Sequence, residues 1–452
     1  MSAFGKALRY SKKFGIDECE VVFIKKKTTT IRITDSEIAE IKQNFDENFG
    51  LRLIHQKKIS SFQTNNENNI ENNIEKSLAT SAFLKPRGFW KSLPETTNYS
   101  SVQKTRDSKL EQISGVESTD IAQTMINSAL DNKIKTISGS LNIVSEHFEI
   151  SNSRGLELED SGTYISGIIN AESENGKIPV SGIGQECCRT LRAFQPEKVG
   201  IDAKKMCVES IDPKKCYAGT YSVIFEPYSV GELLAFVFAS NFNFKTYVEK
   251  KSCFSEQMQE KIAVDEFSLI DDPHALEGIG TKRFDDEGVK TTPNQLIENG
   301  IFKNTFSNLF DSSKENIESS GNASRSGSPM GRSSEPIPGS SPHNLKVNSG
   351  TVSQEDMIKD TKQGLLIGRL WYTYAVNPIK GDFSCTARSG IRIIDNGEIK
   401  DSGRSVRIIH NLPIMLQNIS AIGNNQKNVI QWASLPSITP SIKVDEIKIV
   451  PI

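Results

Sequence analysis

The stretch that decides how this chain is read is Asp271–Thr291, D-D-P-H-A-L-E-G-I-G-T-K-R-F-D-D-E-G-V-K-T. It joins two acidic clusters, Asp271-Asp272 and Asp285-Asp286-Glu287, through a glycine-punctuated turn. Carboxylates set this close repel one another and need a metal, a basic partner or free solvent to stay charged. Residue types alone leave two readings open. In one, the acids are turn residues bonded to their own backbone, as Asp before Pro or Gly often is. In the other, they face a peptide-binding cleft or organise a partner's active site. A second run, Asn377–Ser384 (N-P-I-K-G-D-F-S), has the same double reading: Gly381-Asp382 suits a tight turn, and Phe383 a core anchor.

Outward from these runs, 452 residues suffice for about two to three domains. With 36% hydrophobic and 24% charged residues the chain can bury a sizeable core. A net charge of −2 gives no electrostatic case for nucleic acid, which demands a basic face or stripe. The run Lys25-Lys26-Lys27 reads as a solvated strand edge. Cysteines at 19, 187, 188, 207, 216, 253 and 385 include no C-x-x-C pair, the pattern of reduced, partly buried thiols in a cytosolic protein. No apolar run approaches the roughly 18 residues of a membrane span. The N-terminus lacks an apolar signal core and reads as an amphipathic first helix. The expectation is a cytoplasmic chain with neither a membrane nor a nucleic-acid partner.

The expected fold class is α+β, with an N-terminal mixed α/β domain of antiparallel meanders over residues 1–213 and a β-rich C-terminal domain over 214–452. Glu18–Ile24, Thr28–Thr34, Phe49–His55 and Ile59–Phe62 read as strands, followed by a helix over Asn68–Leu84. A helix over Thr119–Leu130 and strands at Ser140–Ile150, Leu156–Asp160 and Thr163–Ala171 follow, with Val180–Phe194 as a further strand. Two such helix-plus-meander units hint at an internal duplication. Asp202 is placed as the N-cap of a helix running to about Ser210. Ser229–Ser240 reads as a strongly apolar helix, and Gly364–Leu370, Ile391–Ile394 and Ile442–Val450 as strands. Between them, residues 311–343 are dominated by Ser, Gly, Asn and Pro; this composition predicts a mobile loop or flap over a site.

Common catalytic signatures are missing. There is no G-x-x-x-x-G-K-[ST], no G-x-S-x-G and no H-E-x-x-H. The histidines at 55, 147, 274, 343 and 410 have no metal-ligand spacing and read as surface or satisfied core residues.

The order of the short motifs is more telling. Asp271–Thr291 resembles the D-D-P…F-D-D-E-G-V-x-T stretch of the TldD/PmbA family, once called modulators of DNA gyrase and now regarded as peptidase components. Along the same order, Glu226-Pro227, Lys251-Ser252-Cys253-Phe254, Leu296–Ile301 (L-I-E-N-G-I), Asn377…Gly381-Asp382-Phe383-Ser384 and Asn396-Gly397-Glu398-Ile399 are similar to further family motifs, and Asn152-Ser153-Arg154-Gly155 to a shorter N-terminal one. TldD-type members carry H-E-x-x-x-H on the helix corresponding to Ser229–Ser240, plus a later cysteine, to hold zinc. Here that helix has no histidine, and Asn424–Leu435 contains Trp432 but no cysteine. Glu232, left without ligand neighbours, reads as a helix-surface carboxylate.

The resemblance therefore implies the PmbA type, also called TldE, a subunit similar in fold but without the metal site. It implies no catalytic residue, metal or cofactor in this chain, and zinc in a TldD-type partner. It implies dimerisation, with that partner or as a homodimer, around a chamber that takes extended peptides. Residues expected to bind peptide or line the chamber are Asp285, Asp286, Glu287, Gly288, Asn377, Gly381, Asp382, Phe383 and Ser384. Two other readings are carried alongside: an enzyme in its own right built on Asp285, Asp286, Glu287 and Asp382, and a peptide-binding module without proteolysis.

Overall fold

The computed structural model describes residues 3–431 and 434–452, so the expectation placed on Trp432 lies outside the described residues. The fold is α+β and rich in strand. In the N-terminal part, α1 (Ala3–Lys13) precedes β1 (Glu18–Thr34), β2 (Glu37–His55), β3 (Lys58–Thr64) and α2 (Ile70–Ser81). After a short α3 (Ser108–Gln112) the pattern repeats: α4 (Gly115–Ala129), β4 (Thr136–Asn152), β5 (Glu157–Ser173), β6 (Val180–Cys188) and α5 (Pro196–Glu209). Two helix–meander–helix units thus stand in succession, and β1 pairs antiparallel with β4 to fuse them into one six-stranded sheet of order β3-β2-β1-β4-β5-β6. The strand order is symmetric about the β1–β4 seam, the arrangement that the two meanders in the sequence hint at.

Alternation along β1 sorts its two faces. Cys19, Val21, Ile31 and Ile33 pack beneath the helices, with α1 and α2 over one end of the sheet and α4 and α5 over the other. Glu20, Val22, Ile24, Lys26 and Thr28 point the opposite way and are also buried, because the rest of the chain covers that face. Lys26 is therefore interior: β1 lies between β2 and β4, and the Lys26 ammonium donates to the carbonyls of Met330 and Arg332. The expected solvated edge is corrected by this second cover. β2 also begins well before Phe49; its first half is exposed on both sides and shows no apolar pattern. α4 starts earlier than its apolar stripe, through a capping box between Ser114 and Glu117. Asp202 is not an N-cap, since Pro196 opens α5 a turn and a half sooner.

The C-terminal part holds β7 (Gly219–Phe225), α6 (Pro227–Leu233), α7 (Phe244–Val248), β8 (Leu269–Asp271), β9 (Asn294–Glu298), β10 (Ile301–Phe302) and α8 (Leu309–Lys314). It continues with β11 (Ala323–Ser324), β12 (Gly339–Ser340), β13 (Leu345–Val347), α9 (Gln354–Lys359), β14 (Gln363–Asn377), β15 (Asp382–Asp395), β16 (Glu398–Ser402) and β17 (Val406–Asn411). The last elements are α10 (Leu412–Gln417), β18 (Ile419–Ile422), β19 (Lys427–Val429), β20 (Ser437–Thr439) and β21 (Ile442–Pro451). Pairing runs β14-β7-β21-β17-β15 and returns from β15 to β14, closing a ring around Val223, Phe225, Ile367, Phe383, Ile408 and Val444. A second sheet, β10-β9-β8-β13-β20-β19, stands beside it. Two tight hairpins are set by Asn-Gly pairs: Asn299-Gly300 and Asn396-Gly397 all take positive φ, as a type I′ turn requires.

Residues 311–343 depart from expectation. Rather than lying as a flap, the segment threads between the two parts with Asn322, Arg325, Arg332 and His343 buried. Its composition lacks apolar area, but its polar groups meet carboxylates supplied from elsewhere, and matched charge replaces hydrophobic burial.

Candidate functional site

The acidic stretch is the hub of that match. Arg52 of β2 donates to Glu287 at 2.5 Å and to Glu20 of β1 at 2.7 Å. Arg325, fully buried, reaches the other oxygen of Glu20, and its Nε donates to the Asp286 carbonyl at 2.9 Å. Arg332 donates to Asp286 and to Asp160 of β5, both at 2.8 Å, while its backbone N–H donates to Glu146 of β4 at 2.7 Å. Lys282 adds a 2.9 Å bond to Asp286. Burial pushes Asp286 upward, but Lys282 and Arg332 outweigh it and hold the carboxyl well below the usual range. Asp285 is pushed up to about 8 by burial and by Glu287, against the backbone N–H groups of Ala323, Glu287 and Val289 that it accepts. Gly288 takes φ 82°, accepts the Tyr99 hydroxyl and lies where a Cβ would strike Leu156. Asp285–Gly288 are thus interior, at exposures of 0–1% for the three acids, and tie the C-terminal part to the first sheet.

Asp271 performs a related task. One of its oxygens accepts the backbone N–H groups of His343 and Asn344, and the other the His343 ring and Asn322.

Asn377–Ser384 sits elsewhere, at the β14–β15 turn. Gly381 has φ 80° and packs against Pro413 and Cys253. Phe383 is core, Ser384 accepts from Arg407 at 2.8 Å, and Asp382 accepts from Asn411 at 2.9 Å. Asn377 and Asp382 are part-exposed. Among the described residues no hydrogen bond or ion pair joins this turn to Asp285–Gly288; the two expected groups are not brought together.

The helix that corresponds to the metal-binding one of TldD-type members opens at Pro227, an N1 residue that suits a helix start, and widens into an i→i+5 turn over Leu234–Phe238. Glu232 is not on its surface: it is 3% exposed, takes the Leu370 N–H at 2.6 Å, and is pushed up to about 8 by burial. The expected surface carboxylate is corrected, because β14 covers that side of the helix. Laying H-E-x-x-x-H on Glu232 puts its histidines at Gly231 and Phe236. A Cβ at Gly231 would meet Val429 at 2.7 Å, and Gln431 donates to the Gly231 carbonyl at 2.8 Å. At position 231 the room for a ligand side chain is taken by Val429 of β19, whereas Phe236 is exposed. Among the described residues no group of three His, Cys, Asp or Glu side chains is placed to hold a metal. The residues present do not fit a zinc ion.

Sequence reading missed the buried bases Arg52, Arg325 and Arg332, which carry no motif. Their signal is indirect, since so many carboxylates in one stretch require cations. It also missed Arg369, which lies over Trp371 with its centre 3.8 Å from the ring. No helix among the described residues is long and apolar enough to cross a membrane.

Comparison with known proteins matches residues 218–451 to the PmbA/TldA metallopeptidase C-terminal domain and residues 19–82 to PmbA/TldA metallopeptidase domain 1. An uncharacterised protein of Methanocaldococcus jannaschii is 24% identical over 388 residues, covering 84% of this chain and 85% of its own. Metalloprotease PmbA of Escherichia coli O157:H7 is 26% identical over 251 residues, covering 55% of this chain; the chain spans about half of that relative, 51% of its length. In three dimensions, TldE from Thermococcus kodakarensis superposes with a TM-score of 0.89 at 23% identity, over 99% of this chain and 100% of that one.

Proposed function

The chain belongs to the PmbA/TldD metallopeptidase family, and from that premise we propose that it is a metal-free, TldE-type subunit that holds extended peptide and walls the chamber of a TldD-type zinc peptidase. The observation that carries this reading is the filled ligand space at Glu232: glycine and phenylalanine stand at the histidine positions, and Val429 occupies the room a side chain at 231 would need. Hydrolytic zinc needs three protein ligands and an open position for water, so the proposal assigns hydrolysis to the partner. It assigns peptide holding to this chain, through main-chain bonding to strand edges, which tolerates many sequences. The first half of β2 is one such edge, since β3 pairs only with Phe49–His55.

In this proposal the chain divides near 213/214, works in the cytoplasm, and pairs with a TldD-type chain or with itself. Asp285–Gly288 support the structure from within; Asn377 and Asp382 remain the peptide-facing candidates. The test is metal analysis of the purified chain, with peptide cleavage assayed alone and with a TldD-type partner. Substoichiometric zinc and cleavage only in the mixture are expected. One tightly held zinc per chain, or cleavage by the chain alone, would overturn the proposal.

A further inference from the structure

Arg369–Thr373 of β14 concentrates features that the fold does not use. The β14–β15 ladder slips between Arg369 and Leu370 and again between Trp371 and Tyr374. Between the slips, Tyr372 takes φ 49°, a left-handed conformation uncommon for a bulky residue. Bulges re-aim side chains, and backbone strain gathers at binding and switch sites. Here they leave buried donors without acceptors: Arg369 Nε, Trp371 Nε1 and Thr373 Oγ1. Arg369 is 3% exposed, yet among the described residues its guanidinium has no hydrogen bond and no ion pair. Of the other buried arginines, those at 52, 325, 332 and 392 meet carboxylates, and Arg189 donates to the carbonyls of Thr105 and Ile279; among the described residues Arg369 has neither kind of partner. Tyr228 and Glu232 are the ionisable neighbours whose charge reaches Arg369. Trp371, on which the guanidinium lies, is also part of the wall of a cavity of about 410 Å³ whose charged lining side chains are Lys135, Glu172, Glu174 and Arg388; Arg369 itself is not in that wall.

A buried guanidinium with no direct ion pair keeps much of its desolvation cost, and its planar fork fits both oxygens of a carboxylate. We propose that Arg369 and Trp371 form a carboxylate-binding site beside this cavity, which anchors a peptide through its chain-terminal carboxylate or through an acidic side chain. The site rests on the peptide-holding reading above and names the group that is held. The carboxylate supplies the missing counter-charge, and the Trp371 ring keeps the guanidinium plane fixed for it.

The test is calorimetric titration of the full chain with acetyl-Ala-Ala-Ala as the free acid, with the same peptide as its C-terminal amide, and with acetyl-glutamyl amide. At least one carboxylate ligand should bind tenfold or more tighter than the uncharged amide, the scale of charge-assisted hydrogen bonds. Preference for the free acid assigns the site to chain ends; preference for the glutamyl ligand assigns it to side chains. Arg369→Met should bring the acid down to the level of the amide. Because it removes an unmatched buried charge, it should also raise the Tm of the ligand-free chain. Equal binding of acid and amide, no binding of either acid at millimolar concentration, or undiminished binding by Arg369→Met would overturn the site. The comparison of ligands on the unmodified chain decides even if the variant does not fold. Carboxylate binding without cleavage on adding a TldD-type partner would keep the site and remove the subunit role; cleavage without carboxylate binding would do the reverse.

Discussion

Replacing Arg52 with methionine tests whether the acidic stretch holds the molecule together. Arg52 is 2% exposed and bridges Glu20 and Glu287, which are 1% and 0% exposed. Methionine keeps much of the volume and removes the charge. Glu20 would still have Arg325, but Glu287 would keep only the Leu309 N–H at 2.8 Å. Breaking a buried pair by deleting one partner costs ~3–5 kcal/mol; with Glu20 still matched, we expect a loss near the lower end, ~3 kcal/mol. Against a whole-chain stability of ~5–15 kcal/mol this is a large fraction. Urea unfolding followed by circular dichroism should show a lower midpoint. It should also show a broadened or two-step transition, since the lost bond ties β1 and β2 to the C-terminal part. A cycle with Glu287→Gln isolates the pair, and the two changes should couple by ~1–3 kcal/mol. A midpoint shift below ~1 kcal/mol with coupling under ~0.5 kcal/mol would refute the staple, because independent sites add to within that margin.

Three further outcomes are expected. Glu232 holds its proton up to about pH 8 in the fold but releases it near 4.3 when unfolded. Stability should therefore fall as pH rises from about 4.5 toward 8, by ~4–5 kcal/mol at most from this group. Glu232→Gln should flatten that slope and stabilise the chain at pH 8, read from urea midpoints at pH 5 and pH 8; part of the slope stays because Asp285 is raised in the same sense. The double change Gly231→His with Phe236→His should not create a zinc site and should lower the Tm, since overpacking against Val429 costs ~1–3 kcal/mol; one bound zinc by elemental analysis would contradict this. Gly381→Ala should destabilise by ~1–2 kcal/mol, from its left-handed backbone and the 2.6 Å approach of a Cβ to Pro413; an unchanged midpoint in thermal melts would show that the turn relaxes.

Much of the architecture could be read in the chain because strands leave a period-two signature and Asn-Gly leaves a turn signature. The meanders, the α2 helix and the hairpin at Asn396-Gly397 are where the residues put them. What escaped did so for physical reasons. β1 is buried on both faces, so its polar inward residues Glu20 and Lys26 break no visible alternation and suggest an edge instead. The first half of β2 is exposed on both faces and carries no pattern at all. Residues 311–343 were misread because composition registers apolar area and is blind to charge matched across hundreds of positions, as between Arg325 and Glu20.

The candidate site parted from the family marker for the same reason. In D-D-E-G each residue has a geometric duty: Asp285 bonds the turn, Asp286 the two arginines of the threading segment, Glu287 the first sheet, and Gly288 takes a left-handed turn against Leu156. The metal-helix position is under a different constraint. With glycine at 231, Val429 packs over that position, and Glu232 is a buried acid held by β14. The strand that covers Glu232 is the one that slips at Arg369, one residue from the N–H that Glu232 accepts. In the proposed reading, the Arg369 guanidinium supplies the positive charge near that helix in place of a metal ion, an arrangement suited to gripping a carboxylate and unsuited to activating water.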